Sequence, residues 1–211
     1  MMTFIIKNLP ILIVITPLMF SLIVAVLSNN RLSWALSTFA SLLTMIFSIL
    51  LCFEVSNNSN ISYYLGNWPP PLGIEYVIDK VSIIPIMIVS IIGFIATLYA
   101  HKFFIIEIDR NQVYKTYSLF LLTIAGLMGL ITTADAFNLF VFLEISSLSA
   151  VALVALGSKM DRKALIAGYN YLILGAVGAT FYVIGVGLLY GVTGTLNMSD
   201  LAQKIPALGL N

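Results

Sequence analysis

One carboxylate stands apart in this chain. Glu144 lies in the apolar run Phe142-Leu143-Glu144-Ile145, where a helix crossing a bilayer would hold it near mid-depth. An acid placed there costs about 3 kcal/mol unless it is paired, hydrated or protonated. Desolvation penalises its charged form and a nearby cation would favour it, so a carboxyl balanced between the two can take up and release a proton. Ser147, three residues on, falls on nearly the same helix face. Asn138 and Ser149 share the helix and can hold water or a neighbouring side chain. The structural alternative for Glu144 is an interhelical hydrogen bond with no part in transport.

The remaining polar candidates are weaker. Asp79 and Asp135 fall at helix ends, where charge costs little, and capping is the expected role for both, ahead of ion access. In Asp79-Lys80-Val81-Ser82 either Asp79 or Ser82 can serve as the N-cap of the third helix. His101 closes the third apolar run beside Lys102 and reads as a C-terminal cap before it reads as a proton relay. Asn170 sits a few residues inside the sixth run and can line a hydrated path. Gly175, Gly178, Gly185, Gly187 and Gly191 read as sites of close helix packing. With one cysteine, Cys52, and one histidine, no metal site and no cofactor is expected within the chain. There is also no phosphate-binding glycine loop and no nucleophile–histidine–acid set, so enzymatic chemistry is not expected.

The elements that must position these groups follow from composition. Of 211 residues, 60% are hydrophobic and 9% charged, against roughly 45–50% and about 25% in an ordinary soluble domain. So much apolar surface needs a lipid bilayer as partner. The formal net charge of +1 argues against nucleic acid. Gaps between charges predict about six transmembrane helices near residues 9–27, 33–53, 81–100, 117–133, 136–156 and 164–190, each near the 20 residues that span the hydrocarbon. Runs such as Ile83-Ile84-Pro85-Ile86 lack the alternation of a membrane β-barrel. The fold class is therefore an all-α membrane protein, one polytopic domain over residues 1–211 with no soluble domain. The first run is expected to be a retained helix bent at Pro17 rather than a signal peptide.

Lys7, Lys80 and Lys204 fall on one side of that layout; Arg31, Lys102, Arg110, Lys115, Lys159, Arg162 and Lys163 fall on the other. The positive-inside rule makes the second side cytoplasmic and places both termini outside a cell (inner) membrane. The loop of residues 54–78 then lies outside, with Tyr63, Tyr64, Trp68 and Tyr76 as an interfacial aromatic belt. The stretch 102–117, mixing Glu107, Asp109 and Arg110 with Ile105 and Ile106, is expected to be a short amphipathic piece at the cytoplasmic surface.

Three segments carry a resemblance. Asp135-Ala-Phe-Asn-Leu-Phe-Val-Phe-Leu-Glu144-Ile-Ser-Ser-Leu-Ser resembles the fifth helix of the proton-translocating antiporter-like membrane subunits. That family includes the Mrp-type sodium/proton antiporter D subunit and membrane subunits of respiratory complex I and membrane-bound hydrogenases. Asp79-Lys80-Val-Ser82 is similar to its Asp-x-x-Ser. Tyr169-Asn170-Tyr171-Leu-Ile-Leu-Gly175 with Leu189-Tyr190-Gly191-Val-Thr-Gly194-Thr195 is similar to its sixth helix and following loop. The Asp-x-x-Asn-Leu-Phe-Val-Phe wording leans toward the Mrp D branch.

The resemblance implies that Glu144 matches the family's essential membrane glutamate, which works against a lysine on a seventh helix. That Lys-x-Pro segment does not occur within these 211 residues, and Asn170 stands where relatives often carry lysine. The resulting expectation is a subunit, or the N-terminal part of one, of a multisubunit cation/proton antiporter. It would assemble with other membrane subunits and exchange protons, with sodium as a candidate counter-ion. A complex I-like or hydrogenase membrane subunit is the alternative, and a non-transporting scaffold or truncated remnant the third reading.

Overall fold

Residues 2–57, 60–157 and 163–208 are described by a computed structural model. Six helices are long and apolar enough to cross a membrane: α1 (Met2–Val26), α2 (Asn30–Asn57), α3 (Ile83–Glu107), α4 (Val113–Thr132), α5 (Ala136–Leu156) and α6 (Lys163–Thr193). Their backbone groups must bond internally in lipid, which is why runs this apolar fold as helices. Short turns make neighbours antiparallel. Lys7, Lys80 and Lys204 gather at one end, and Arg31, Lys102, Arg110, Lys115 and Lys163 at the other. Lys159 and Arg162 lie outside the described residues. α1 runs unbroken through Pro10 and Pro17.

Three departures from expectation have physical causes. The stretch 102–117 is not a separate amphipathic piece: α3 continues to Glu107, and only residues 108–112 turn before α4. Ile108 and Val113 are buried there, so the turn is held by the bundle rather than by a lipid surface. His101 is consequently inside α3, not at its end. Its ring lies 4.4 Å from that of Trp34, whose indole N–H donates to the Thr97 carbonyl at 3.2 Å.

The outer loop is also more ordered than a loop. β1 (Ile61–Tyr64) and β2 (Glu75–Ile78) form an antiparallel hairpin with Ile61 opposite Ile78 and Tyr64 opposite Glu75. The hairpin extends by backbone pairing to the α4–α5 and α6–α7 links. Ala134 N–H donates to the Glu75 carbonyl at 2.9 Å and Ala136 N–H to the Leu196 carbonyl at 2.8 Å. The ten-residue helix α7 (Met198–Ala207) follows, capped by Asn197. Gly194, at φ +68°, ends α6 in the left-handed conformation that glycine takes without steric cost. This small backbone sheet closes one end of the bundle.

Tyr76 is the clearest correction to the aromatic belt. It is 2% exposed and packs edge-on against Phe142 of α5, with ring centroids 6.4 Å apart, whereas Trp68 is exposed. Burial pushes the Tyr76 hydroxyl up to about 12, with Tyr63 adding to the shift and a hydrogen bond with Asn138 opposing it. Because the folded state holds this proton more tightly than the unfolded one, the stabilisation is complete below pH ~10 and is lost as pH rises toward 12. Thermal unfolding at pH 8 and pH 11 should therefore show an alkaline loss that Tyr76→Phe reduces. An equal loss in the variant would rule this hydroxyl out.

Candidate functional site

Glu144 is the ninth residue of α5, about 12 Å along the helix from its Ala136 end. It is half-buried, and with Ser147, Leu148 and Val151 it forms one wall of a cleft whose other wall is Tyr171, Leu172, Gly175 and Ala176 of α6. The cleft offers about 10 Å³ of room to solvent, on the order of a single water molecule. No described residue donates a hydrogen bond to the carboxylate or pairs with it as a cation, so an interhelical hydrogen bond from Glu144 has no partner among the described residues. Ser147 shares the cleft, while its hydroxyl donates to the Glu144 carbonyl at 3.3 Å.

Asn170 does not join them. It is exposed, seven residues from the start of α6, and does not line the cleft although its neighbour Tyr171 does. Its side-chain direction depends on where α6 packs, which its sequence neighbourhood does not encode. Sequence reasoning missed Tyr171 and Gly175 as site residues. Gly175 is notable because nothing lies within 4 Å of the position a Cβ would take there, leaving that side of the cleft open.

The two aspartates lie at the hairpin end of the bundle, apart from Glu144. Asp135 is the N-cap of α5: its carboxylate accepts the Asn138 N–H at 2.7 Å. The Asn138 amide donates onward to the Thr133 hydroxyl at 2.9 Å. Asp79 accepts the Ser82 N–H at 2.7 Å and the Val81 N–H at 3.1 Å, and the Ser82 backbone bond first, with the Ser82 side chain next, holds its carboxyl below the usual range. His101 lies toward the opposite end of α3. Among the described residues no group of three or more His, Cys, Asp or Glu side chains could hold a metal.

Asp135 sets where α5 begins and hence the depth of Glu144. Asp135→Ala should lower stability by about 1 kcal/mol, the usual effect of losing an N-cap, while Asp135→Asn, which keeps an accepting oxygen, should stay near wild type. Thermal unfolding in detergent distinguishes them; equal losses would mean that charge rather than capping matters.

What holds α5 in place is its contact with α4. A Cβ on Gly126 would stand 2.7 Å from the Ser146 backbone nitrogen, and one on Gly129 would overlap the Phe142 ring. The Ser149 and Thr123 hydroxyls meet across the same interface at 2.8 Å. The glycines expected to pack helices, Gly175, Gly178, Gly185, Gly187 and Gly191 of α6, have nothing within 4 Å. Close packing falls on α4 instead.

Comparison with known proteins places these features in a family context. Residues 133–210, which include Glu144 and the cleft, match the family model described as NADH:quinone oxidoreductase/Mrp antiporter, TM. The NADH-quinone oxidoreductase subunit N of Desulforudis audaxviator is 42% identical over 204 residues, covering 95% of this chain and 40% of that protein. The D subunit of the Na(+)/H(+) antiporter of Alkalihalophilus pseudofirmus is 31% identical over 203 residues, covering 96% of this chain and 40% of its own length. Among solved structures, a chain of the membrane-bound sulfane sulfur reductase, an archaeal respiratory membrane complex, superposes with TM-score 0.85 at 34% identity. That match covers 93% of this chain and 40% of the other. The resemblance to antiporter-like membrane subunits thus holds across nearly the whole chain, which spans 40% of the length of the curated relatives it matches.

Proposed function

We infer that this chain is the proton-handling N-terminal part of an antiporter-like subunit in a multisubunit monovalent cation/proton antiporter of the cell membrane. The observation that carries this reading is the carboxylate of Glu144, half-buried in the α5–α6 cleft with neither a cation nor a hydrogen-bond donor among the described residues. A carboxyl in that setting gains from a proton and releases it when water or a cation approaches. The cleft has room for one water beside it, and the Ser147 hydroxyl is placed to contact that water if it leaves the Glu144 carbonyl. A proton then passes from water to the Glu144 carboxylate, and from the carboxyl to a second acceptor beyond the described residues. The cation that favours release belongs to the part of the subunit beyond these 211 residues. Asn170, Asp79, Asp135 and His101 are left outside the relay, as interfacial, capping and stacking groups. The end bearing Arg31, Lys102, Arg110, Lys115 and Lys163 is assigned to the cytoplasm, with both ends of the chain outside.

A second reading rests on a specific observation. The identity to an NADH-quinone oxidoreductase subunit N, at 42%, exceeds the 31% to the antiporter D subunit, which favours a place in a redox-driven, complex I-like assembly. Both readings use Glu144 in the same way and differ in what drives the proton. Membrane vesicles containing the whole assembly separate them. Proton uptake evoked by a sodium gradient supports the antiporter; uptake evoked by NADH or a reduced quinone, and not by sodium, supports the redox assembly. Neither response would support a non-transporting scaffold.

A further inference from the structure

At the end of the bundle opposite the hairpin, a cleft of about 520 Å³ opens between the α1–α2 and α3–α4 turns, lined by Ser28, Asn29, Asn30, Arg110, Asn111 and Tyr114. We propose that it is a binding site for a phosphate anion, of the kind carried by a phospholipid headgroup, independent of the Glu144 cleft.

Four observations point the same way. Arg110 supplies the guanidinium that pairs with phosphate through parallel hydrogen bonds. The acid of this turn, Asp109, does not line the cleft. α4 starts at Val113 with no side-chain cap and no acid in its first turn, so its first N–H groups are left to a ligand beside Asn111 and Tyr114. α2 is different, since the Asn29 carboxamide oxygen already accepts from the Arg31 and Leu32 N–H groups.

The fourth observation lies beneath the cleft. Asn30 lines it and donates to the Arg110 carbonyl at 2.7 Å, yet its Oδ1 is buried with no partner. Further along the same face of α2, at spacings of three and four, come Ser33 and Ser37, both 0% exposed and both with unpartnered hydroxyls. On α4, one turn below Tyr114, the Tyr117 hydroxyl is likewise buried and unpartnered. Buried polar groups are nearly always satisfied. Four orphans under one polar cleft indicate that the floor is completed by a ligand and its accompanying water. The cleft sits where membrane-spanning helices end, at the depth of lipid headgroups.

The test uses the purified full chain in detergent, with thermal stability and native mass spectrometry as readouts. Three probes are compared: dioctanoyl phosphatidylglycerol, dioctanoylglycerol lacking the phosphate, and inorganic phosphate. The phosphatidylglycerol should bind and stabilise, and dioctanoylglycerol should not. Arg110→Gln should weaken binding about tenfold, as expected for loss of a charged hydrogen bond. Tyr114→Phe, a milder change should Arg110→Gln fail to fold, should weaken it about threefold. Lys115→Gln, which removes a cation that does not line the cleft, should leave binding unchanged. Equal protection by inorganic phosphate would keep the site and make its source soluble. Equal binding of dioctanoylglycerol, an equal loss in Lys115→Gln, or no binding of either phosphate probe would overturn the proposal.

Discussion

Glu144→Gln should reduce coupled proton flux by about 100-fold or more, the scale on which a positioned proton-transfer group contributes, and leave the protein folded. Glutamine preserves the size of the side chain and its fit between Ser147 and Gly175, and removes only the ability to bind and release a proton. Because the carboxylate has no donor or cation among the described residues, nothing structural is broken by the exchange. Replacing an unpaired intramembrane acid with a neutral isostere is expected to leave stability equal or raised. Flux in vesicles containing the assembled complex and thermal unfolding of the same preparation give the two halves of the test. Flux at the wild-type level would end the proton-site reading and leave the scaffold; flux and stability lost together would give Glu144 a structural role instead. Glu144→Asp, shorter by one methylene, should retain partial flux if the group works by titration.

The features that sequence alone made legible are those governed by large energies. Six helices could be placed from gaps between charges because a charge in hydrocarbon costs more than any local propensity offsets. Glu144 stood out by the same rule in reverse, and Ser147 followed from helical periodicity. Smaller energies were not legible. The hairpin rests on two four-residue strands within a turn-rich loop, and its partners are backbone groups of residues 133–136 and 196–198 that sequence does not bring together. Tyr76 reads as interfacial by type and is buried because β2 turns it onto Phe142. His101 looked like a cap because Lys102 follows it, while the apolar pattern through Phe103, Phe104 and Ile106 carries the helix onward. Asn170 required knowing which side of α6 meets α5, and that face is fixed by contacts at Gly168, Ala179 and Val186. Glycine position was readable, but the choice between α4 and α6 as the closely packed helix was not.

That choice leads to the second large effect. Gly126→Ala should destabilise the bundle and impair flux, although Glu144 itself is untouched. Alanine favours the helix over glycine by about 1 kcal/mol, so the substitution would help if the site were open, as it should at Gly178 of α6. At Gly126 the new Cβ would stand 2.7 Å from the Ser146 nitrogen and 2.9 Å from its Cα. These are backbone atoms of α5 that cannot rotate aside, so relief requires α5 to move away from α4. Overpacking of this kind costs about 1–3 kcal/mol and outweighs the propensity gain. The displaced segment carries Glu144, two residues before Ser146, so the α5–α6 cleft changes with it. Gly129→Ala meets a different obstacle, the Phe142 ring, which a second substitution can remove. Phe142→Leu should therefore rescue Gly129→Ala in both thermal unfolding and flux, and should leave Gly126→Ala unrescued. If Gly126→Ala proves as benign as Gly178→Ala, or if Phe142→Leu rescues both α4 variants alike, then α4 does not fix the position of α5, and the placement of Glu144 must be set by the Asp135 cap and the sheet at the hairpin end.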